Sequence, residues 1–240
     1  MLGALGWGAL AASSLVLGAL LAFARDWPPR QIGFVLSFGA GALISAVSFE
    51  LAGEGVEVGS YATTAIGLGA GALTYYLLDG VIARRENAGS KARRAESSNA
   101  GKALALGAFL DGIPEQAVLG LGLAAGEGVS VGLMVAIFVS NLPEAVGSVS
   151  VMRKSLSRRN ILGLWIAVAV ICTASTVLGY GIANITGGDL RAAIDGFAAG
   201  ALLVMLIDSM IPEASKESGQ VAGLVTTLGF AVALWLSSIS

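Results

Sequence analysis

Apolar runs about as long as a bilayer is thick recur along this chain and leave little sequence for anything else. Read at about 20 residues each, they fall near 2–24, 32–52, 61–83, 103–125, 130–152, 161–184, 192–213 and 221–239. Runs of that length satisfy every backbone group within their own segment as helices, whereas a barrel needs shorter strands of alternating polarity. The expectation is an all-α membrane protein with eight transmembrane helices, forming one polytopic domain over residues 1–240. Charged residues are 12% of the chain, about half the roughly 25% of globular proteins, so a soluble domain is excluded. The formal net charge of −2 gives no reason to expect a nucleic-acid partner. The lipid bilayer is the partner that composition demands.

Thirteen of the 14 basic residues fall in alternate connections: Arg25 and Arg30, then Arg84 to Lys102, then Arg153, Lys154, Arg158 and Arg159, then Lys216. Arg191 stands on the other side, with Glu54, Glu57, Glu127 and Asp189. Basic loops stay cytoplasmic, which makes 84–102 a cytoplasmic loop and both termini extracytoplasmic. No Lys or Arg precedes Arg25, so the first run lacks the basic start of a cleaved signal and is read as a mature helix.

Phe38-Gly39-Ala40-Gly41-Ala42-Leu43 resembles Phe197-Ala198-Ala199-Gly200-Ala201-Leu202, and Gly39 to Leu43 recurs as Gly69 to Leu73. An acid follows each within seven residues: Glu50, Asp79 and Asp208. Spans two and seven run in opposite directions under this topology, as an inverted repeat of a transporter requires. Small residues that let helices approach closely explain the same pattern.

Proline followed by glutamate occurs three times, at Pro114-Glu115, Pro143-Glu144 and Pro212-Glu213. The first two lie at the centres of spans four and five, where a kink frees backbone carbonyls and a carboxylate is costly unless it lines a wet cavity or binds something. Asp111 and Glu115 are four apart, and Asn141 and Glu144 three apart with Ser140 beside them, so each set shares a helix face. No Lys, Arg or His lies in either span. A divalent cation held between the two helices balances these carboxylates best; protonated or solvated carboxylates beside a proton pathway are the other reading. Cys172 stands alone in an apolar run, which excludes a thiolate cluster and reads as a small core or lipid-facing residue.

Asp111-Gly112-Ile113-Pro114-Glu115-Gln116 and Ser140-Asn141-Leu142-Pro143-Glu144-Ala145 resemble the paired motifs of the ZIP (Zrt/Irt-like) family of divalent-metal transporters. In that family the fourth helix commonly reads His-Asn-x-Pro-Glu-Gly and the fifth carries x-Pro-Glu-Gly after His-Asn or Gln-Asp. Asp208-Ser209-Met210-Ile211-Pro212-Glu213-Ala214 resembles the Asp-x-x-Ile-Pro-Glu-Ala of its prokaryotic branch, and Glu50 sits near the matching acidic end of span two. The resemblance implies a 3+2+3 arrangement of helices with an inverted repeat, and a homodimer. It implies bridging roles for Glu115 and Glu144, a ligand role for Asp111 in place of histidine, and one for Asn141. Thr176 stands where a span-six glutamate serves a second metal. Ser140, Asp208, Glu50 and Thr176 become pathway residues. The chain departs from the family at Gly112, which replaces an asparagine, at Ser140, which replaces His or Gln, and in having no histidine at all.

Oxygen ligands favour harder cations, so the expected cargo is Mn²⁺ or Fe²⁺, with Zn²⁺ included and weak selectivity. The metal is substrate rather than resident cofactor, and no cofactor is expected. The resemblance implies alternating access that carries it towards the cytoplasm as spans one, four, five and six move against two, three, seven and eight. The chain is expected in the plasma (inner) membrane. A ZIP-like scaffold that has left metal transport, serving as sensor, structural partner or carrier of another solute, is the alternative. The residue sets of intramembrane aspartyl proteases, lipid phosphatases and metalloproteases are absent, which argues against an enzyme. A tag on either terminus should react with a membrane-impermeant reagent added outside intact cells; protection of both tags would reverse the orientation.

Overall fold

The computed structural model describes residues 1–92, 112–124, 131–183 and 187–238, with side chains left out for 81–92. These residues are helical throughout, without a strand. Helix α1 is Leu2–Ala24 and α2 is Pro29–Ala46, which continues as a π-helical stretch, Val47–Gly53, into α3, Glu54–Val58. Helix α4 is Tyr61–Ala92, α5 covers 112–124, α6 is Val131–Met152 and α7 is Arg158–Ala183. Helix α8, Gly188–Met205, passes through a second π-helical stretch, Leu206–Met210, into α9, Ile211–Ser218; a short 3₁₀ turn leads to α10, Ala222–Ser237.

Among the described residues, five stretches are long and apolar enough to cross a membrane: Leu2–Ala24, Pro29–Val58, Val131–Met152, Arg158–Ala183 and Gly188–Ser237. Expected spans seven and eight merge into the last of these, which is 50 residues long and broken at Gly219. Gly219 has φ +66°, the only positive φ among the described residues, in a region that side chains avoid. Expected span three lies in α4, which runs on to Ala92 through residues 84–92 of the expected loop. The rest of that loop, and span four up to Asp111, lie outside the described residues. Eight separate spans are therefore a finer division than these stretches make.

The ends of the helices show how backbone groups are satisfied. Helix α1 stops before Trp27-Pro28, where the residue preceding proline is pushed out of helical geometry. Its last carbonyls are then taken by side chains: Trp27 Nε1 donates to Leu21 at 3.0 Å and Arg153 Nη1 to Ala22 at 3.0 Å. Arg153 also pairs with Asp26. Proline at the first position of α2 has no amide to leave unbonded there. Arg25 stacks on Trp27 and Arg158 on Phe23. Several basic residues expected on one membrane side thus gather at the shared end of α1, α6 and α7.

Close packing depends on glycine. The largest interfaces in the described structure are α4 with α8 and α2 with α10. In the first, a Cβ on Gly67 or Gly71 would collide with the carbonyls of Ala193 and Phe197, and one on Gly196 or Gly200 with those of Thr64 and Leu68. Glycines four apart on both helices thus fit reciprocally against the opposing backbone. In the second, Gly41 lies against the carbonyl of Thr226 and Gly229 against that of Phe38. Phe38 and Gly41 correspond to Phe197 and Gly200 in the sequence repeat, so both copies use the same offsets against their partner helices. Four residues past the repeat, after Leu43 and Leu202, each helix turns π-helical, at Val47 and at Leu206. Small residues do make the close contacts, and the matched π-helical stretches are a correspondence that Gly/Ala composition alone does not produce.

Backbone approach of this kind is driven by packing, since lipid is as apolar as the helix surfaces. Gly200→Ala, whose new methyl meets a carbonyl that cannot step aside, should lower the melting temperature in detergent by the equivalent of about 1–3 kcal/mol. Gly69→Ala, with open space at its Cβ position, serves as the control. Equal melting of the two proteins would refute the close-contact account.

Candidate functional site

Helix α6 carries Pro143 in its interior, which removes one backbone donor and leaves the carbonyl of Val139 without its helical partner. Two other helices grip this segment through glycine. A Cβ on Gly18 of α1 would sit 2.5 Å from the Leu142 carbonyl oxygen and 2.7 Å from Ala145 Cβ, and one on Gly39 of α2 would sit 3.0 Å from Ser140 Cα. Residues 140–145 are thereby clamped between α1 and α2. Helix α5 is fixed to α7 in the reciprocal manner already described: Gly120 lies against the Thr176 carbonyl and Gly179 against that of Ala117.

These contacts bring the two Pro-Glu segments together. Ser140 Oγ donates to Glu115 Oε1 at 3.3 Å, with the Ile137 carbonyl also at 3.0 Å. Glu115 is 1% exposed and Asn141 1% exposed; Glu144 is half-buried, with its Oε2 shielded. Both side-chain amide atoms of Asn141 are buried with no hydrogen-bond partner among the described residues. Leaving such groups unmet costs about 1–3 kcal/mol, so the position is suited to a ligand or water that the protein itself does not supply. Thr176 Oγ1 donates to Gln116 Oε1 at 2.6 Å, and Gly8 of α1 packs against Thr176, its Cβ position 2.8 Å from Thr176 Cβ.

Other expected site residues are placed elsewhere. Glu50 lies in the first π-helical stretch, where it accepts from Ser237 Oγ; its Oε1 is 3.0 Å from the Cβ position of Gly132. Gly132 precedes Ser140 by eight residues, about 12 Å along α6, so Glu50 stands along the helix from the Ser140–Glu115 contact. Asp208 is exposed in the second π-helical stretch. Two residues on, Met210 approaches the site side of α2: its Cε is 3.0 Å from the Gly39 Cβ position, as Ser140 Cα is. Asp111 lies outside the described residues. Among those described, no three His, Cys, Asp or Glu side chains come close enough together to hold a metal ion.

One residue of this region was missed by sequence reasoning. Gln116 follows directly on Pro114-Glu115 and is fully buried; its place in the motif was the available signal. Of the two readings of Cys172, the core one holds: it is fully buried among apolar side chains of α1, α6 and α7. Its Sγ is 2.8 Å from the Cβ position of Gly112. Its spacing of four from Thr176 placed it on the same face of α7.

Comparison with known proteins bears on this arrangement. No family model matches the chain. Over 222 residues it is 28% identical to an Arabidopsis thaliana protein named "Putative zinc transporter". That alignment covers 90% of this chain and 35% of the relative, so the chain spans about a third of the length of the curated relative it matches. The likeness supports kinship with zinc transporters of the ZIP-like kind, as a multi-pass membrane protein. A relative named as a transporter is consistent with a protein that is not an enzyme.

The Thr176–Gln116 bond couples α7 to the motif helix. Thr176→Val removes the donor and strands a buried amide oxygen, which should cost about 1–3 kcal/mol on thermal unfolding in detergent. Unchanged melting would mean that water replaces the hydroxyl.

Proposed function

We propose that this chain is a ZIP-like transporter of divalent metal cations, moving ions such as Zn²⁺, Mn²⁺ and Fe²⁺ towards the cytoplasm across the plasma (inner) membrane. The observation that carries the reading is the Ser140–Glu115 contact, which joins the proline-interrupted α6 to the Pro-Glu segment of α5 beside the buried Glu115 and the unmet amide of Asn141. Glu115, Glu144 and Asn141 would hold the ion with Asp111. Ser140 orients Glu115, and Glu50 and Asp208 line the approach. With no Lys, Arg or His in either span, a bound cation neutralises carboxylates that are otherwise costly at this depth. Similarity to a protein named as a zinc transporter supports the same reading.

The helix contacts suggest how such a site changes sides. Helix α1 packs on α6 and α7, and α5 on α7, whereas α2 packs on α10 and α4 on α8. The groups meet where α6 lies on α2 and α10. Rocking one group on the other at the Gly39–Ser140 contact would open the site to each side in turn. An inverted repeat relating the two halves, a 3+2+3 division of eight spans, extracytoplasmic termini and a homodimer accompany this proposal.

Flux of Mn²⁺, Fe²⁺, Zn²⁺ and Cd²⁺ into proteoliposomes decides it. Uptake should fall at least tenfold in Glu115→Ala and in Glu144→Ala, as loss of a metal ligand or its support does. A folded protein that moves none of these ions would leave a ZIP-like scaffold with another task.

A further inference from the structure

A second buried carboxylate has no part in the site above. Asp195 of α8 is 2% exposed and stands seven residues, about 10 Å, along the helix from its start at Gly188. An ionisable group inside a span is a candidate for function, with its partner to be named. The partner is Arg191, one turn earlier, whose Nε lies 3.7 Å from Asp195 Oδ2 and whose Nη2 lies 3.5 Å from Glu54 Oε2 of α3. Helices α3 and α8 meet closely where the side chain is missing. The Cβ position of Gly59, just past α3, is 2.5 Å from Ala192 Cβ, and that of Gly188 is 2.7 Å from the Val58 carbonyl oxygen. This approach sets one carboxylate from each helix across a single guanidinium. The Asp195 contact is too long for a hydrogen bond, and Asp195 Oδ2 and Arg191 Nε are both buried with no hydrogen-bond partner among the described residues. A pair so loosely made gives little stability against the cost of burying its charges, so holding two helices together is a poor account of it.

We infer that Glu54 and Asp195 form an outer loading site for a divalent cation, and that Arg191 keeps it closed as a counter-ion which the arriving cation displaces. This rests on the transport reading and locates the start of its path. The α3–α8 seam carries acids from its rim inward: Glu57 and Asp189 are exposed, Glu54 is half-buried and Asp195 buried. Arg191 is the one basic residue that the loop pattern puts on this side. Such a line of carboxylates raises the local concentration of cations. Four residues before Glu54, Glu50 continues it through the π-helical stretch to α6, where it reaches the Cβ position of Gly132. Two carboxylates, with water filling the other positions, hold a hard divalent ion weakly. Among the described residues no third acid closes on them, which suits an ion that must move on. Arginine suits the closed state because one planar fork reaches both carboxylates.

Equilibrium binding of Mn²⁺ to the detergent-solubilised full chain isolates this site once Glu115→Ala/Glu144→Ala has removed the central one. In that background Arg191→Gln should bind Mn²⁺ at least about fivefold more tightly, and adding Asp195→Asn should abolish the gain. With the central site intact, Arg191→Gln should lower the KM for Mn²⁺ uptake into proteoliposomes severalfold with kcat little changed, and Glu54→Gln should raise KM. Arg191→Lys keeps the charge without the fork; it should shift both readouts the same way by less, and it carries the test if Arg191→Gln misfolds. A clasp that only holds α3 to α8 would lower the melting temperature and kcat and leave Mn²⁺ affinity unchanged, and that result overturns the inference. So does a gain in affinity that survives Asp195→Asn. Absence of all flux in the wild-type protein would strike at the transport reading, whereas Mn²⁺ binding governed by Arg191 and Asp195 would still support the loading site.

Discussion

Glycine-to-carbonyl contact between helices is the constraint on which the rest of this structure depends. In lipid, two apolar helices gain nothing by leaving the solvent, so association rests on how closely their backbones can approach. Weak Cα–H···O contacts, about 0.5–1 kcal/mol each, accumulate where glycines recur at four-residue spacing. Among the described residues three helix pairs make such contacts reciprocally: α4 with α8, where the glycines recur four apart, and α2 with α10 and α5 with α7, with one glycine from each helix. Because the contacts are to backbone, they fix register as well as proximity. The neighbours of Glu115 are therefore determined by Gly120, five residues along α5, and by Gly179, three residues beyond Thr176 on α7.

The same logic explains why irregular backbone is concentrated where it is. Proline in α6 frees a carbonyl, and α1 and α2 meet that segment with glycines, so the kink is held by close-fitting neighbours. Ser140 then reaches Glu115 from a position that no flexible loop could hold. The two π-helical stretches, each carrying an acid, fall outside this clamp. They re-aim side chains at the edges of the bundle, where π-helical turns are often found to serve function. The proposed site thus has a rigid floor and softer approaches.

Much of this was legible in the sequence. Apolar run length gave the helical class, and the Pro-Glu pairs marked the two segments that the structure brings together. The glycine pattern was visible as a repeat. Its meaning as backbone contact needed the partner helices, because Gly41 and Gly69 look alike in sequence while only the first touches an opposing carbonyl. Span boundaries were less legible: α4 runs past the expected end at residue 83 to Ala92, and one stretch, Gly188–Ser237, holds two expected spans.

Arg153 carries one further consequence. By capping Ala22 and pairing with Asp26, it fastens the end of α1 to the turn between α6 and α7. Helix α2, which belongs with the opposite set of helices, begins at Pro29. The chain between these bodies is the short run Arg25 to Pro28, which even fully drawn out reaches only about 14 Å, and proline at 28 and 29 stiffens its far end. Whatever swing the proposed transport requires is thus kept on a short leash at this end of the bundle, where the mouth can part only as far as four residues allow, and the equally short run of residues 184–187 between α7 and α8 sets a like limit at the other end.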